Sequence, residues 1–156
     1  MDLTQFRDKW TSAGEVPAKL DSAPPAPVAL IYDYRKIMLG DIVPTENMLS
    51  KPMIKWKAER GAMYTIAILD FEFPPGIQYT HWLVSNVRDP WSINWGDAVM
   101  SYIPPFGFER TENETAIGQT QGTALHDLIV LVLKQKNGQV SHVLNTYIIQ
   151  HISYKG

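Results

Sequence analysis

The chain has 156 residues, with 14 Lys+Arg against 16 Asp+Glu, a formal net charge of −2 and 45% hydrophobic residues. This composition excludes an intrinsically disordered chain, and the lack of a basic excess argues against a protein that coats nucleic acid through phosphate contacts. Cysteine is absent, which removes disulfides, zinc thiolate sites and cysteine nucleophiles.

The length suits a single domain, 1–156, able to bury a sizeable core without staples. No apolar run reaches the roughly 18 residues of a membrane-spanning helix. The first residues lack the apolar core of a secretory signal, and Asp2 and Asp8 fit poorly with a transit peptide. A cytoplasmic location is therefore expected.

Leu3, Phe6 and Trp10 recur at helical spacing and predict a short amphipathic helix over 3–13. Pro24, Pro25 and Pro27 make 22–27 an extended connector, because proline fixes φ and removes a donor. The pattern then turns to β. Val28 to Tyr34 is a β-branched and aromatic run, and Ile37-Met38-Leu39 a second one ended by Gly40. Pro44–Asn47 and Lys51-Pro52 mark a turn region. Met53–Lys57 reads as a short strand and Arg60-Gly61 as a turn.

Ala62–Glu72 is the clearest strand, apolar at both parities, which implies burial on both faces. Tyr79–Val87 and Leu125–Gln135 are equally apolar. Asn137-Gly138 signals a hairpin turn and Val143–Tyr154 a last β-rich segment. Residues 106–121 are polar and unpatterned, a long surface loop. Strands at about ten-residue spacing with Pro/Gly turns favour an all-β, antiparallel Greek-key sandwich with a short N-terminal helix.

Polar groups stand at the ends of the most apolar strands. Asp70 closes the 62–69 run on the parity of Tyr64, Ile66 and Ile68, and Glu72 follows on that face. His81 opens Trp82-Leu83-Val84, and His126 opens the run from Leu128 to Leu133. Buried carboxylates need partners, so two acids and two imidazoles at strand ends suggest one shared polar pocket. Each residue alone also has a bland reading: a strand-end Asp caps turns and a strand-end His satisfies a carbonyl.

At these residues the sequence resembles the phosphatidylethanolamine-binding protein (Raf kinase inhibitor protein) family. One family signature, Asp-Pro-Asp-x-Pro followed by a loop and a strand beginning with His, is similar to Asp70-Phe71-Glu72-Phe73-Pro74 and then Tyr79-Thr80-His81-Trp82. A second, Gly-x-Gly-x-His-Arg-Tyr and a strand ending in Gln, is similar to Gly122-Thr123-Ala124-Leu125-His126-Asp127-Leu128 and then Ile129 to Gln135, with Pro104-Pro105 upstream. Glu72 stands for Asp, a conservative change, whereas Asp127 for Arg and Leu128 for Tyr are not conservative.

Some stretches, such as Tyr102-Ile103-Pro104-Pro105-Phe106 and Leu131–Gln135, look most like the branch of the family that serves as a mitochondrial large-subunit ribosomal protein. In that branch the pocket is degenerate, nucleic acid is a neighbour and the location is mitochondrial.

The resemblance implies a non-enzymatic protein, without cofactor, that accepts a phosphorylated or zwitterionic head group. Asp70, Glu72, His81 and His126 would form the site, and Pro74, Tyr79 and Pro105 its walls. Carboxylates beside imidazoles suit both halves of a phosphoethanolamine zwitterion. A metal site has weak support, because no His pair falls at i, i+2 or i, i+4, and no Gly-x-Ser-x-Gly nucleophile is present. Trp91 and Trp95 lie in a Pro/Asn/Gly-rich stretch. The usual burial of Trp favours packing under that loop; exposed, they would form a patch for a protein partner, as would loop 106–121.

Overall fold

The computed structural model describes residues 2–13, 16, 22–70, 79–105, 125–136, 138 and 147–155, with the backbone alone at 125–126 and 147–155. The predicted long loop 106–121 and the residues Glu72 and Pro74 lie outside the described residues.

The described residues are mostly β, with a short α-helix near the N-terminus. In chain order come helix α1 (Leu3–Ser12), strands β1 (Ala29–Tyr32), β2 (Arg35–Ile37) and β3 (Ile42–Pro44), the 3₁₀ helix η1 (Thr45–Met48), and strands β4 (Met53–Lys55), β5 (Tyr64–Asp70) and β6 (Tyr79–Val87). The 3₁₀ helix η2 (Pro90–Trp95) and strands β7 (Asp97–Met100), β8 (Leu125–Lys134) and β9 (Tyr147–Lys155) follow.

Among the described residues two sheets form: a three-stranded one in the order β2-β1-β4, and a six-stranded one in the order β3-β9-β8-β5-β6-β7. All pairings are antiparallel except β3 with β9, which is parallel.

Residue parity explains the layering. Tyr64, Ile66 and Ile68 of β5 and Leu128, Val130 and Val132 of β8 pack in one core with Leu30, Tyr32 and Ile54 of the small sheet. The alternate residues Ala67, Ile129, Leu131 and Leu133 face the other way and pack with Phe6 and Trp10 of α1. The large sheet is thus covered on both sides, as the doubly apolar strands required.

α1 is started by Asp2, whose carboxylate accepts the Gln5 N–H at 2.9 Å while the Gln5 side chain reaches back to Asp2 N–H. This capping box contributes about 1 kcal/mol. Phe6 and Trp10 supply the buried stripe, but Leu3, expected in it, stays exposed.

The run Val28–Tyr34, read as one strand, instead turns inside itself. Asp33 and Tyr34 both adopt positive φ (45° and 62°) and make a two-residue hairpin turn between Tyr32 and Arg35, which pair. Such turns usually take Asn-Gly or Asp-Gly. Tyr34 sits there fully exposed, with no packing to signal it in the sequence.

β6 is irregular at two places. Between Tyr64↔Val87 and Ile66↔Val84 it carries an extra residue, and between Ile68↔Trp82 and Leu69↔Thr80 another. At the first, Asn86 has φ +56° and its N–H is accepted by the buried side chain of Gln135 at 2.9 Å. Gln135 also accepts from Thr65 Oγ1 (3.0 Å) and donates to Asn86 Oδ1 (2.8 Å) and to the Gly138 carbonyl (2.7 Å). A bulge withdraws a backbone group from the ladder, and here a glutamine amide replaces the missing partner.

η2 is begun by Asp89, whose carboxylate accepts from Trp91 and Ser92 N–H, both at 2.9 Å, with Pro90 at its first position. Gly96 then lets β7 return beside β6. A Cβ there would stand 2.6 Å from side-chain carbons of Val84 and Val87 and 2.7 Å from the Ser85 carbonyl. Trp91 and Trp95 do not pack under the loop as expected: they are 74% and 80% exposed, because the short 3₁₀ turn projects them outward.

Candidate functional site

The second irregularity of β6 builds the site. Ile68 pairs with Trp82 and Leu69 with Thr80, so His81 is the extra residue. A bulge re-aims the side chain it carries. His81 is buried, to 4% exposure. Asp70, the last residue of β5, is completely buried and pairs with Tyr79. His81 Nε2 lies 3.8 Å from Asp70 Oδ2.

Residues 101–105 hold the imidazole. Ile103 N–H donates to the His81 carbonyl at 2.7 Å, and His81 Nδ1 stands 2.9 Å from the Ile103 carbonyl. A carbonyl oxygen only accepts, so Nδ1 carries the hydrogen. The Tyr79 ring packs edge-on against the imidazole, with centroids 4.9 Å apart, and Pro105, two residues past the clamp, is buried.

With Nδ1 committed, Nε2 is the chemically open atom. It is buried and makes no hydrogen bond, and 3.8 Å is too long for one to the carboxylate. In the neutral ring, Nε2 is an acceptor turned toward the Asp70 carboxylate, and it is this ring atom that lacks a hydrogen bond. In the protonated ring, the two form a buried ion pair.

Of the residues expected to converge, the structure brings together Asp70, Tyr79, His81 and the segment that ends in Pro105. The backbone of His126 stands on β8 two residues from Leu128, the register partner of Asp70, at the same end of the sheet. Asp70 and Tyr79 are also where the chain leaves β5 and enters β6, so the connection 71–78, with Glu72 and Pro74, begins and ends at this pair. Among the described residues no group of three or more His, Cys, Asp or Glu side chains converges.

The role of Ile103 was not visible in the sequence, because it acts through its backbone. A second polar element lies between the sheets. Tyr102 donates its hydroxyl to the Met48 carbonyl at 2.6 Å, so the contact of 3.4 Å with Tyr32 has Tyr32 as donor. Burial pushes the Tyr102 hydroxyl up to about 12, and that of Tyr32 rises well above the ordinary tyrosine value, chiefly by burial and then by the neighbouring Tyr102.

No family model matches the chain. Among curated proteins the chain is similar to a "26 kDa secreted antigen" of Toxocara canis, 24% identical over 147 residues that cover 90% of this chain and 51% of that protein. The chain therefore spans about half the length of this relative. Among the described residues no helix is long and apolar enough to cross a membrane.

Proposed function

We propose that the chain is a phosphatidylethanolamine-binding-type protein whose Asp70–His81 pair accepts a phosphorylated or zwitterionic head group without turning it over. The observation that carries this reading is the buried imidazole whose Nδ1–H is fixed on the Ile103 carbonyl and whose open Nε2 faces the Asp70 carboxylate. An ammonium group donates to the open Nε2 of the neutral ring, and a phosphate oxygen accepts from a ring that has taken a proton. The clamp at Ile103 keeps the imidazole in place before the ligand arrives, which lowers the ordering loss on binding.

The motif order that resembles the family supports the same reading, as does the β-rich two-sheet architecture. The Toxocara canis relative is named a secreted antigen, and this favours an extracellular site of action as the alternative to the cytoplasmic one expected from composition. The alternative is the ribosomal reading, with a degenerate pocket; the close approach of Asp70 and His81 is what favours the binding reading over it.

Isothermal titration calorimetry with phosphoethanolamine tests the proposal. Heat of binding is expected for the wild type and its loss in Asp70→Asn, with the fold of the variant checked by circular dichroism. Equal binding by a folded Asp70→Asn protein, or no binding by the wild type at millimolar ligand, overturns it.

A further inference from the structure

A different face of the molecule has the composition of a surface that lies against lipid. Along β4 and its flanks Lys51, Met53, Lys55 and Lys57 are exposed while Pro52, Ile54 and Trp56 are buried, the alternation of a strand with one solvated face. Register carries this face across the small sheet: Met53 pairs with Ile31 and Ile31 with Lys36. Lys36 and Met38 of the hairpin are exposed as well.

η2 adjoins β4 and continues the surface with Trp91, and Trp95 of the same turn is exposed as well. The Lys55 ammonium stands 5.6 Å over the Trp91 ring, and Lys51 donates to Asn94 Oδ1 at 2.5 Å. The Asp89 cap and Pro90 fix η2, so the two indoles are presented by a pre-formed turn and not by a flexible loop. Beside them a cavity of about 460 Å³ is lined by Lys36, Lys55 and Lys57 over Ala29, Met38 and Trp56.

The charge on this face is opposite to that of the whole chain. Four lysines meet here in a protein of net charge −2. We propose that the outer face of the β2-β1-β4 sheet, together with η2, docks the protein on an anionic lipid surface.

Indole rings favour the boundary between head groups and acyl chains, and Met38 and Met53 gain by leaving water there. A nucleic acid would use the lysines and stack on the indoles, but it would leave the methionines wet. The lysines attract the negative leaflet, and their aliphatic stems cover apolar surface. The cavity, with Lys36, Lys55 and Lys57 in its lining, gives room for one head-group phosphate.

Co-sedimentation of the full chain with phosphatidylcholine vesicles, with and without phosphatidylserine, tests the proposal. Binding is expected only to vesicles containing phosphatidylserine, weakening with added salt. Lys51→Gln/Lys55→Gln is expected to reduce the partition constant by about five-fold for each lysine removed. Trp91→Ala/Trp95→Ala, at exposed positions that leave the core intact, should abolish it.

Equal sedimentation with both kinds of vesicle, unchanged binding by the double tryptophan variant, or tighter retention of single-stranded RNA than of vesicles overturns the proposal. Asp70→Asn is expected to dock like the wild type. Vesicle binding lost in Asp70→Asn but kept in the double tryptophan variant would assign docking to the pocket and overturn the assignment to this face. Failure here leaves the pocket reading to be judged separately by soluble phosphoethanolamine.

Discussion

Replacing Gln135 by methionine keeps the volume of the side chain and deletes its polar end. The amide is held from two sides by backbone: its oxygen accepts the Asn86 N–H and its nitrogen donates to the Gly138 carbonyl. Its orientation is therefore fixed, and the bonds from Thr65 Oγ1 and to Asn86 Oδ1 follow from it. Four hydrogen bonds disappear in Gln135→Met. At about 1 kcal/mol for each neutral bond, with an added penalty for partners left buried, the loss comes to roughly 4 kcal/mol. Asn86 also loses the acceptor that holds its N–H at the bulge. Since domains of this size are stable by only about 5–15 kcal/mol, the variant should lie near the limit of folding. Urea denaturation followed by tryptophan fluorescence measures the change. A loss below about 1 kcal/mol would mean that water or neighbouring groups take over the four partners, and would refute the claim that this amide holds the β5-β6-β8 junction.

Other consequences are equally specific. Gly96→Ala puts a methyl group against Val84, Val87 and the Ser85 carbonyl and is expected to destabilise by about 1–3 kcal/mol in the same urea assay; a neutral result would show that β7 is loosely held. Tyr34→Gly relieves a positive φ at an exposed turn and should stabilise by up to about 1 kcal/mol, read as a higher melting temperature, whereas a lower one would contradict the turn assignment.

The tyrosine pair gives a pH dependence. Above the ordinary tyrosine value of 10.0, the unfolded chain releases protons that folded Tyr102 retains until about 12. The unfolded state then binds fewer protons, so stability is full below pH 10 and falls as pH rises through this window, by about 2 kcal/mol from Tyr102. Urea midpoints should decline across that range in the wild type and decline less in Tyr102→Phe; parallel declines would exclude the pair as the source.

The parts of the fold that were legible in the sequence are those governed by local pattern. α1 follows from Phe6 and Trp10, and β5, β6 and β8 from apolar runs long enough to be covered on both faces. β3 was not legible: its three residues are strand only because they pair in parallel with β9, far along the chain. β7 was not legible either: it is four residues long, directly follows the Pro/Asn/Gly-rich stretch, and all four of its residues are exposed. The Asp33-Tyr34 turn escaped because neither residue is glycine. In the site, Asp70 was placed by simple alternation. The meeting of Asp70 with His81 depends on a bulge, which adds one residue without any composition signal, and on a backbone carbonyl, which any residue at position 103 could supply.

The central claim is that the imidazole of His81, pinned at Nδ1 and open at Nε2, is the ligand-sensing atom set of a head-group pocket. Nitrogen-15 NMR of selectively labelled histidine during titration with phosphoethanolamine reads both ring atoms directly. The Nδ1 resonance should keep the signature of a hydrogen-bonded N–H throughout, while the Nε2 resonance shifts saturably with ligand. An Nε2 signal unmoved at millimolar ligand, or an Nδ1 that carries no hydrogen before ligand is added, would contradict it.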